Sequence, residues 1–199
     1  TTQNLTGEVT MGSLDRLAEI ANKHGRPPGE HGLSAGGTSN TYFDGKHVIG
    51  FSEVLKITVD TLLNILPQYY IVGIGGPAVG AILVVGATAD RYGQGGCSID
   101  TFYIRSEEKL HGTKQRLEGY LPENGKVALF DDTITTGNSL LKTIEFVEDR
   151  GCEVVIVTAL LDRQEGGLER IRDAGYDALA LLKMEPDGNI IPVDIWNRP

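Results

Sequence analysis

The chain has 199 residues, 40% of them hydrophobic and 23% charged, which is suited to one globular domain with a sizeable core. A formal net charge of −9 argues against broad electrostatic binding to nucleic acid or anionic lipid, so any phosphate site must be local. Cys97 and Cys152 stand apart from any Cys/His cluster, and residues 1–13 lack the basic and apolar regions of a signal peptide. We therefore expect free thiols, no zinc site and a cytoplasmic protein.

The N-terminal third predicts two helices separated by a loop. Apolar residues recur at helical spacing after Ser13, which indicates a short amphipathic helix with Ser13 as its cap. The Gly/Ser/Thr-rich segment 32–40 predicts a loop that leads into a short strand at 41–44. Residues 52–66 place their aliphatic side chains on one helical face, with Ser52 as the cap.

The rest of the chain alternates apolar runs of strand length with helical segments. The predicted strands are 70–74, 98–104, 126–130, 154–161 and 178–182, and the predicted helices are 78–92, 137–150 and 167–174. This alternation predicts an α/β fold around a mostly parallel sheet covered by helices on both faces. Ligands of such folds bind beyond the carboxyl ends of the strands.

The segment from Tyr69 to Ala89 has two other interpretations. It carries no charge and is long enough to cross a bilayer, but Pro77 and five glycines would break a membrane helix, so we expect no membrane association. Its Gly73 to Ala78 portion also fits the loose G-x-G-x-x-A pattern of dinucleotide-binding oxidoreductases. That alternative requires an acidic residue about 20 positions further on, a place that Asp90 and Asp100 only straddle.

Residues 126–142 carry the strongest chemical signal. An apolar strand leads into Asp131 and Asp132, followed by a Thr- and Gly-rich turn and the start of a helix near Ser139. The backbone N–H groups and hydroxyls of Thr135 to Ser139 form a nest suited to a phosphate monoester at a helix N-terminus. The two carboxylates can accept hydrogen bonds from vicinal sugar hydroxyls, so together these groups predict a sugar phosphate site.

This segment resembles the phosphoribosyltransferase signature that binds phosphoribosyl pyrophosphate (PRPP). Three flanking segments resemble those of the orotate phosphoribosyltransferases, and all four lie in the family's order. Residues 103–119 are similar to the mobile catalytic loop, with its pattern Arg-Lys-Glu-x-Lys-x-His-Gly, and 161–167 to the segment Val-Asp-Arg-Gln-Glu-Gly-Gly. Residues 33–44 are similar to the base-binding hood.

The resemblance implies a type I phosphoribosyltransferase fold in one domain, residues 1–199. Residues 1–45 would form an N-terminal helix and a small hood, and residues 105–118 a flexible catalytic loop that reaches into the partner's site in a homodimer. The implied reaction transfers 5-phosphoribose from PRPP to orotate and yields orotidine 5′-monophosphate and pyrophosphate. Its cofactor would be Mg²⁺, held mainly through PRPP.

The resemblance also assigns roles to individual residues. The cations that would stabilise pyrophosphate are Arg105, Lys109 and His111, and the groups that would hold the ribose hydroxyls are Asp131 and Asp132. The PRPP loop would consist of Thr133, Ile134, Thr135, Thr136, Gly137, Asn138 and Ser139. The base contacts would be Thr135, Arg163, Tyr42 and Phe43. Without the family pattern, Arg163 could form a surface ion pair, and Tyr42 and Phe43 could belong to the core.

Three positions depart from the family pattern. Ser34 and Ser106 stand where the family has lysines, and the turn around Val79 lacks a third lysine. Each missing charge-assisted hydrogen bond would weaken PRPP binding by about 1.5–3 kcal/mol. Two alternatives therefore remain open beside the orotate reaction: transfer to another acidic heterocycle, and a regulatory protein that binds PRPP without turning it over.

Overall fold

The structure is a computed structural model that describes residues 9–26, 31–32, 38–39, 42–106 and 116–197. Its helices are α1 (Met11–His24), α2 (Gly45–Ile49), α3 (Ser52–Ile65), α4 (Ile82–Gln94), α5 (Asn138–Glu148) and α6 (Gly167–Asp173). Its strands are β1 (His31–Gly32), β2 (Thr38–Ser39), β3 (Gly73–Pro77), β4 (Asp100–Ile104), β5 (Leu117–Gly119), β6 (Lys126–Ile134), β7 (Glu153–Asp162), β8 (Ala178–Met184) and β9 (Ile190–Pro192). A short 3₁₀ helix, Leu66–Tyr69, follows α3.

Seven strands form the central sheet, in the order β5-β4-β3-β6-β7-β8-β9. The five inner strands are parallel, and β5 and β9 pair antiparallel at the two edges. Helices α1, α3 and α4 pack on the face that carries Ala128 and Phe130, and α5 and α6 pack on the face that carries Val127 and Leu129. The predicted α/β fold with a mostly parallel sheet is therefore confirmed.

The strand order reverses between β3 and β6. From β3 the chain crosses to β4 on one side, and after β5 it returns to β6 on the other side of β3. At such a point the connections after the two strands diverge and leave a crevice beyond their carboxyl ends. The topology thus brings the turn after β3 next to the two aspartates of β6.

The first strand of this sheet lies three residues later than expected, at Gly73–Pro77 instead of 70–74. Its glycines are required by neighbouring strands, because a Cβ on Gly75 would lie 2.4 Å from the Phe102 ring and one on Gly76 would lie 2.0 Å from the Phe130 carbonyl oxygen. This glycine-rich segment therefore forms a strand that packs closely between β4 and β6.

Three local predictions were wrong at the ends of elements. Thr10, not Ser13, caps α1, and Ser13 completes a capping box from inside the helix. Phe51, not Ser52, occupies the cap position of α3, and no side chain caps the start of that helix. Residues 42–44 form no strand and lead directly into α2, whose first turn Asp44 caps by accepting a hydrogen bond from the His47 N–H.

The segment expected to form the catalytic loop emerges from an antiparallel pair of strands. Strand β5, which the sequence did not predict, pairs with β4, and the Arg105 N–H donates to the Arg116 carbonyl at the base of the loop. Gly119, the last residue of the segment that resembles the loop, lies in β5, where an added Cβ would be 2.4 Å from the Thr101 carbonyl oxygen. Residues 107–115, like hood residues 33–37, lie outside the described part of the chain.

Among the described residues, no helix combines the length and the apolar character that crossing a membrane requires.

Candidate active site

Two buried carboxylates stand at the carboxyl end of β6. Asp131 and Asp132 are only 8% and 7% exposed. Glycine backbone packs against them from two sides: a Cβ on Gly80, in the turn after β3, would lie 2.0 Å from Asp132 Oδ1, and a Cβ on Gly45, in α2, would lie 2.4 Å from Asp132 Oδ2. The site therefore has no room for a side chain at either glycine.

The acidic pair is electrostatically strained. The Asp132 N–H donates to Asp131 Oδ1 at 2.9 Å, so the two groups are held close together. Burial, together with the negative charge of Asp132, raises the pKa of Asp131 well above its usual range, and the nearby Lys46 opposes this shift. A ligand that donates hydrogen bonds to these oxygens, as vicinal hydroxyls do, would relieve part of that cost.

The segment after the carboxylates bends at residues 135–137 and leads into α5. We call residues 135–139 the phosphate turn, after their predicted role. The Ile134 side chain is buried in the core, so this residue can offer only its backbone to a ligand. Gly137 adopts a φ of +76°, and α5 begins after it with no side-chain cap. The first N–H groups of a helix lack partners within the helix, and here the exposed Thr136, Asn138 and Ser139 surround them. This arrangement fits a phosphate group.

A second segment supports this turn from behind. A Cβ on Gly167 would lie 2.3 Å from the Thr135 carbonyl oxygen and 2.5 Å from the Gly137 nitrogen, so only glycine fits at the start of α6. One turn later, Arg170 donates to the Thr136 carbonyl at 2.5 Å and to Asn138 Oδ1 at 2.9 Å. The Gln-Glu-Gly-Gly segment is thus the packing partner of the phosphate turn. No local sequence pattern points to Arg170, which reaches the turn only through the fold.

Arg163 lies at the same edge of the sheet. Its N–H donates to the Ile134 carbonyl at 2.9 Å, which joins the end of β7 to the end of β6. Its side chain is 9% exposed and forms an ion pair with Glu165 at 2.9 Å. The Arg163 backbone therefore adjoins the residue that precedes the phosphate turn.

The two aromatic residues of the hood differ in exposure. Phe43 is 5% exposed, and its ring packs so tightly on Gly25 that a Cβ there would lie 2.2 Å away. This favours the alternative in which Phe43 belongs to the core. Tyr42 is partly exposed and remains the candidate for contact with a base.

Of the three predicted pyrophosphate-binding cations, only Arg105 lies among the described residues. Arg105 follows β4, whose last residue accepts a hydrogen bond from the Ala78 N–H at 2.8 Å, so Arg105 lies beside the turn after β3. Its side chain is 47% exposed and lies 3.9 Å from a Glu118 oxygen. Ser106 and Val79 are exposed at two of the positions where a lysine is missing. Lys109, His111 and Ser34 lie outside the described residues.

The dinucleotide alternative does not fit this geometry. Its first glycines should form the turn between a strand and a helix, where they approach a pyrophosphate. Gly73, Gly75 and Gly76 instead lie within β3, and α4 begins only at Ile82.

Comparison with known proteins identifies the family. The family model of the phosphoribosyl transferase domain matches residues 57–177. The orotate phosphoribosyltransferase of Methanosphaera stadtmanae is 34% identical over 154 residues, which is 77% of this chain and 84% of that protein. The chain belongs to the orotate phosphoribosyltransferase family.

Solved structures agree with this assignment. The orotate phosphoribosyltransferase of Aeropyrum pernix is 30% identical, with a TM-score of 0.67 over 82% of this chain and 91% of that one. The orotate phosphoribosyltransferase of Mycobacterium tuberculosis H37Rv, solved in complex with PRPP, is 26% identical, with a TM-score of 0.70 over 86% of this chain and 96% of that one. The type I phosphoribosyltransferase fold expected from the resemblance is confirmed.

Proposed function

We propose that this chain transfers 5-phosphoribose from PRPP to orotate and releases pyrophosphate. One observation carries the proposal: the buried Asp131 and Asp132 adjoin an uncapped helix N-terminus at the point where the strand order reverses. A polyol-binding group next to a phosphate-binding group fits a sugar phosphate, and membership of the family supports PRPP and orotate as the substrates.

Each end of PRPP has its own partners in this proposal. The turn from Thr135 to Ser139 holds the 5-phosphate through backbone N–H groups and hydroxyls. The carboxylates of Asp131 and Asp132 accept hydrogen bonds from the ribose hydroxyls and keep the ring oriented while the bond at C1 breaks. Thr135, Arg163 and Tyr42 position orotate, since a guanidinium offers parallel donors to a carboxylate or to carbonyl oxygens.

Charge on the leaving group determines what else the site must supply. Positive charge develops on the ribose and negative charge on pyrophosphate in the transition state, so cations near the leaving group lower the barrier. Arg105, Lys109 and His111 are the proposed cations of the chain. The carboxylate oxygens of the site are ligands that suit Mg²⁺, which, when bound with PRPP, would neutralise phosphate charge.

A panel of acceptor bases tests the proposed substrate. The full chain is incubated with PRPP, Mg²⁺ and one of orotate, uracil, adenine, hypoxanthine or nicotinate, and the nucleotide product is identified by mass. We expect orotidine 5′-monophosphate and no other nucleotide in comparable amount. Product with nicotinate alone would favour the alternative of another acidic heterocycle, and no product with any base would favour a regulatory role.

Replacing Lys109 tests the leaving-group role of the loop. We expect Lys109→Met to lower kcat by about 10²- to 10³-fold, because removing one donor from a developing anion has an effect of that size. Lys114→Met is the matched control, since it removes the same charge from the same loop at a position with no assigned role. A kcat of Lys109→Met within about threefold of wild type would rule out that role.

The homodimer is part of the proposal, and an exposed apolar surface supports it. Val79 is 67% exposed and Leu83, one helical turn further on at the start of α4, is 53% exposed, beside the turn that adjoins the carboxylates. Exposed apolar side chains clustered next to a functional site are typical of protein interfaces. Contact between two copies at this surface agrees with the resemblance, which implies that each loop reaches the other subunit's site.

Replacing Leu83 tests the dimer. We expect wild type to sediment as a dimer and Leu83→Arg as a monomer, because the substitution would bury an unpaired guanidinium in each half of the interface. Orotate turnover should fall along with the dimer. Tyr70→Arg is the control, because Tyr70 is exposed at the amino ends of the strands, away from the site. A dimeric Leu83→Arg variant would contradict this interface.

A further inference from the structure

Lys46 lies beside the acidic pair, and no segment that resembles the family assigns it a role. Helix α2 brings it there: the Gly45 backbone packs against Asp132 and Thr133 so closely that a Cβ would lie 2.8 Å from Thr133 Oγ1. The next residue then extends along the edge of the sheet, and Lys46 Nζ lies 3.6 Å from Asp132 Oδ2. The position of Lys46 is therefore set by backbone packing.

The surroundings of Lys46 suit a cation that meets a ligand. Its side chain is 53% exposed, whereas the Asp132 side chain is 11% exposed, so the ammonium group lies at the mouth of the buried pair. Partial burial lowers the pKa of Lys46, but the negative charge of Asp132 and the smaller influences of Tyr42, Asp44 and Asp131 outweigh this effect and raise the pKa above its usual value. The side chain thus stays charged at neutral pH.

Lys46 lies near the place where the leaving group of PRPP would be. In the proposed function, on which this inference rests, Asp131 and Asp132 bind the ribose hydroxyls. The 2-hydroxyl is adjacent to C1, the carbon that carries the diphosphate, so a cation at the outer oxygen of Asp132 lies within side-chain reach of that group. Across the pair is Gly80, in the turn that lacks one of the family's lysines.

We propose that Lys46 binds the diphosphate of PRPP and supplies positive charge at the site where the family's lysines are absent. Its ammonium group donates to a diphosphate oxygen when PRPP is bound and forms an ion pair with Asp132 when it is not. The chain thereby replaces part of the charge lost at Ser106 and near Val79 with a cation from α2.

Three variants and three ligands test this role. Binding of PRPP, pyrophosphate and ribose 5-phosphate, each with Mg²⁺, is measured by calorimetry for wild type, Lys46→Met, Lys46→Arg and Lys126→Met. Lys126 is the control because it is exposed at the amino end of β6, the opposite end of the strand that carries the aspartates. Thermal unfolding checks that every variant is folded, and steady-state kinetics separates the KM for PRPP from the KM for orotate.

We expect Lys46→Met to weaken the binding of PRPP and pyrophosphate by about 10- to 100-fold, the effect of one charge-assisted hydrogen bond. Ribose 5-phosphate, which lacks the diphosphate, should bind as it does to wild type. Lys46→Arg should restore most of the affinity, Lys126→Met should match wild type, and Lys46→Met should raise the KM for PRPP without changing that for orotate.

Two results for the Lys46→Met variant would overturn the inference. One is PRPP binding to Lys46→Met within about twofold of wild type. The other is an equal loss for ribose 5-phosphate, which would mean that Lys46 acts only through Asp132. Wild type that binds PRPP without consuming orotate would refute the proposed acceptor, while the calorimetric comparison would still decide the role of Lys46. Wild type that does not bind PRPP would refute both.

Discussion

Asp131→Asn is expected to weaken catalysis and, at the same time, to stabilise the folded protein. The carboxylate accepts hydrogen bonds from the ribose in the proposed complex, and an amide offers one oxygen without the charge. We expect kcat/KM for PRPP to fall by about 10- to 100-fold, corresponding to roughly 1.5–3 kcal/mol for a hydrogen bond to a charged group. Steady-state kinetics with saturating orotate measures this loss.

The gain in stability follows from the direction of the pKa shift. Burial and the charge of Asp132 raise the pKa of Asp131 in the folded state, so folding disfavours its ionised form. The unfolded carboxyl ionises first as the pH rises, and stability is then lost as the pH passes through the folded pKa. At pH 7 the amide introduced by Asp131→Asn is uncharged, so folding no longer has to bury an ionised group. Its oxygen still accepts a hydrogen bond from the Asp132 N–H. We expect a gain of about 0.5–2 kcal/mol, or a few degrees in Tm.

The pH dependence distinguishes this effect from a general change in packing. The difference in Tm between Asp131→Asn and wild type should be largest near neutral pH. It should disappear below the ordinary aspartate pKa, where both states of wild type are protonated. Asp173→Asn, on the exposed end of α6, is the control for loss of one negative charge. A variant less stable than wild type at pH 7 would show that the carboxylate is not strained.

Gly167→Ala is expected to abolish most PRPP binding through one methyl group. The new carbon would lie 2.3 Å from the Thr135 carbonyl oxygen and 2.5 Å from the Gly137 nitrogen, both backbone atoms that cannot rotate away. Either α6 or the phosphate turn must move. A displacement of about 1 Å at such a site can reduce turnover 10²-fold, and we expect a loss of that order in PRPP affinity and kcat/KM.

The same substitution elsewhere provides the control. Gly93 lies in α4 with no atom within 4 Å of an added Cβ, so Gly93→Ala should stabilise the helix slightly and leave PRPP binding unchanged. Gly167→Ala should unfold at a lower temperature, with overpacking worth about 1–3 kcal/mol. PRPP binding within threefold of wild type by calorimetry would show that the turn adapts to the methyl group.

The parts of the fold that could be predicted from sequence are those with a local signal. Strand β6 and the start of α5 follow from an apolar run, two acidic residues and a Thr/Gly turn. The register of β3 could not be predicted, because its glycines are explained only by Phe102 and Phe130 on neighbouring strands. The three-residue edge strands β5 and β9 were missed because they are too short for a periodic pattern.

The same distinction applies to the candidate site. Asp131, Asp132 and the residues that follow them are adjacent in sequence, so their chemistry is readable as a motif. Two other residues reach the site from distant elements. Lys46 is 86 positions from its partner Asp132, and Arg170 is 34 positions from its partner Thr136. The nearest sequence signal for Lys46 was its position two residues after Asp44, at the end of the segment that resembles the hood.

Coupled turnover decides whether this chain transfers phosphoribose to orotate. Pyrophosphate release and orotate consumption are followed together for the full chain with PRPP and Mg²⁺, beside a reaction without base and one with the Asp131→Asn/Asp132→Asn double variant. We expect equal amounts of pyrophosphate released and orotate consumed, with neither control above background. Bound PRPP with no orotate-dependent release would contradict this expectation.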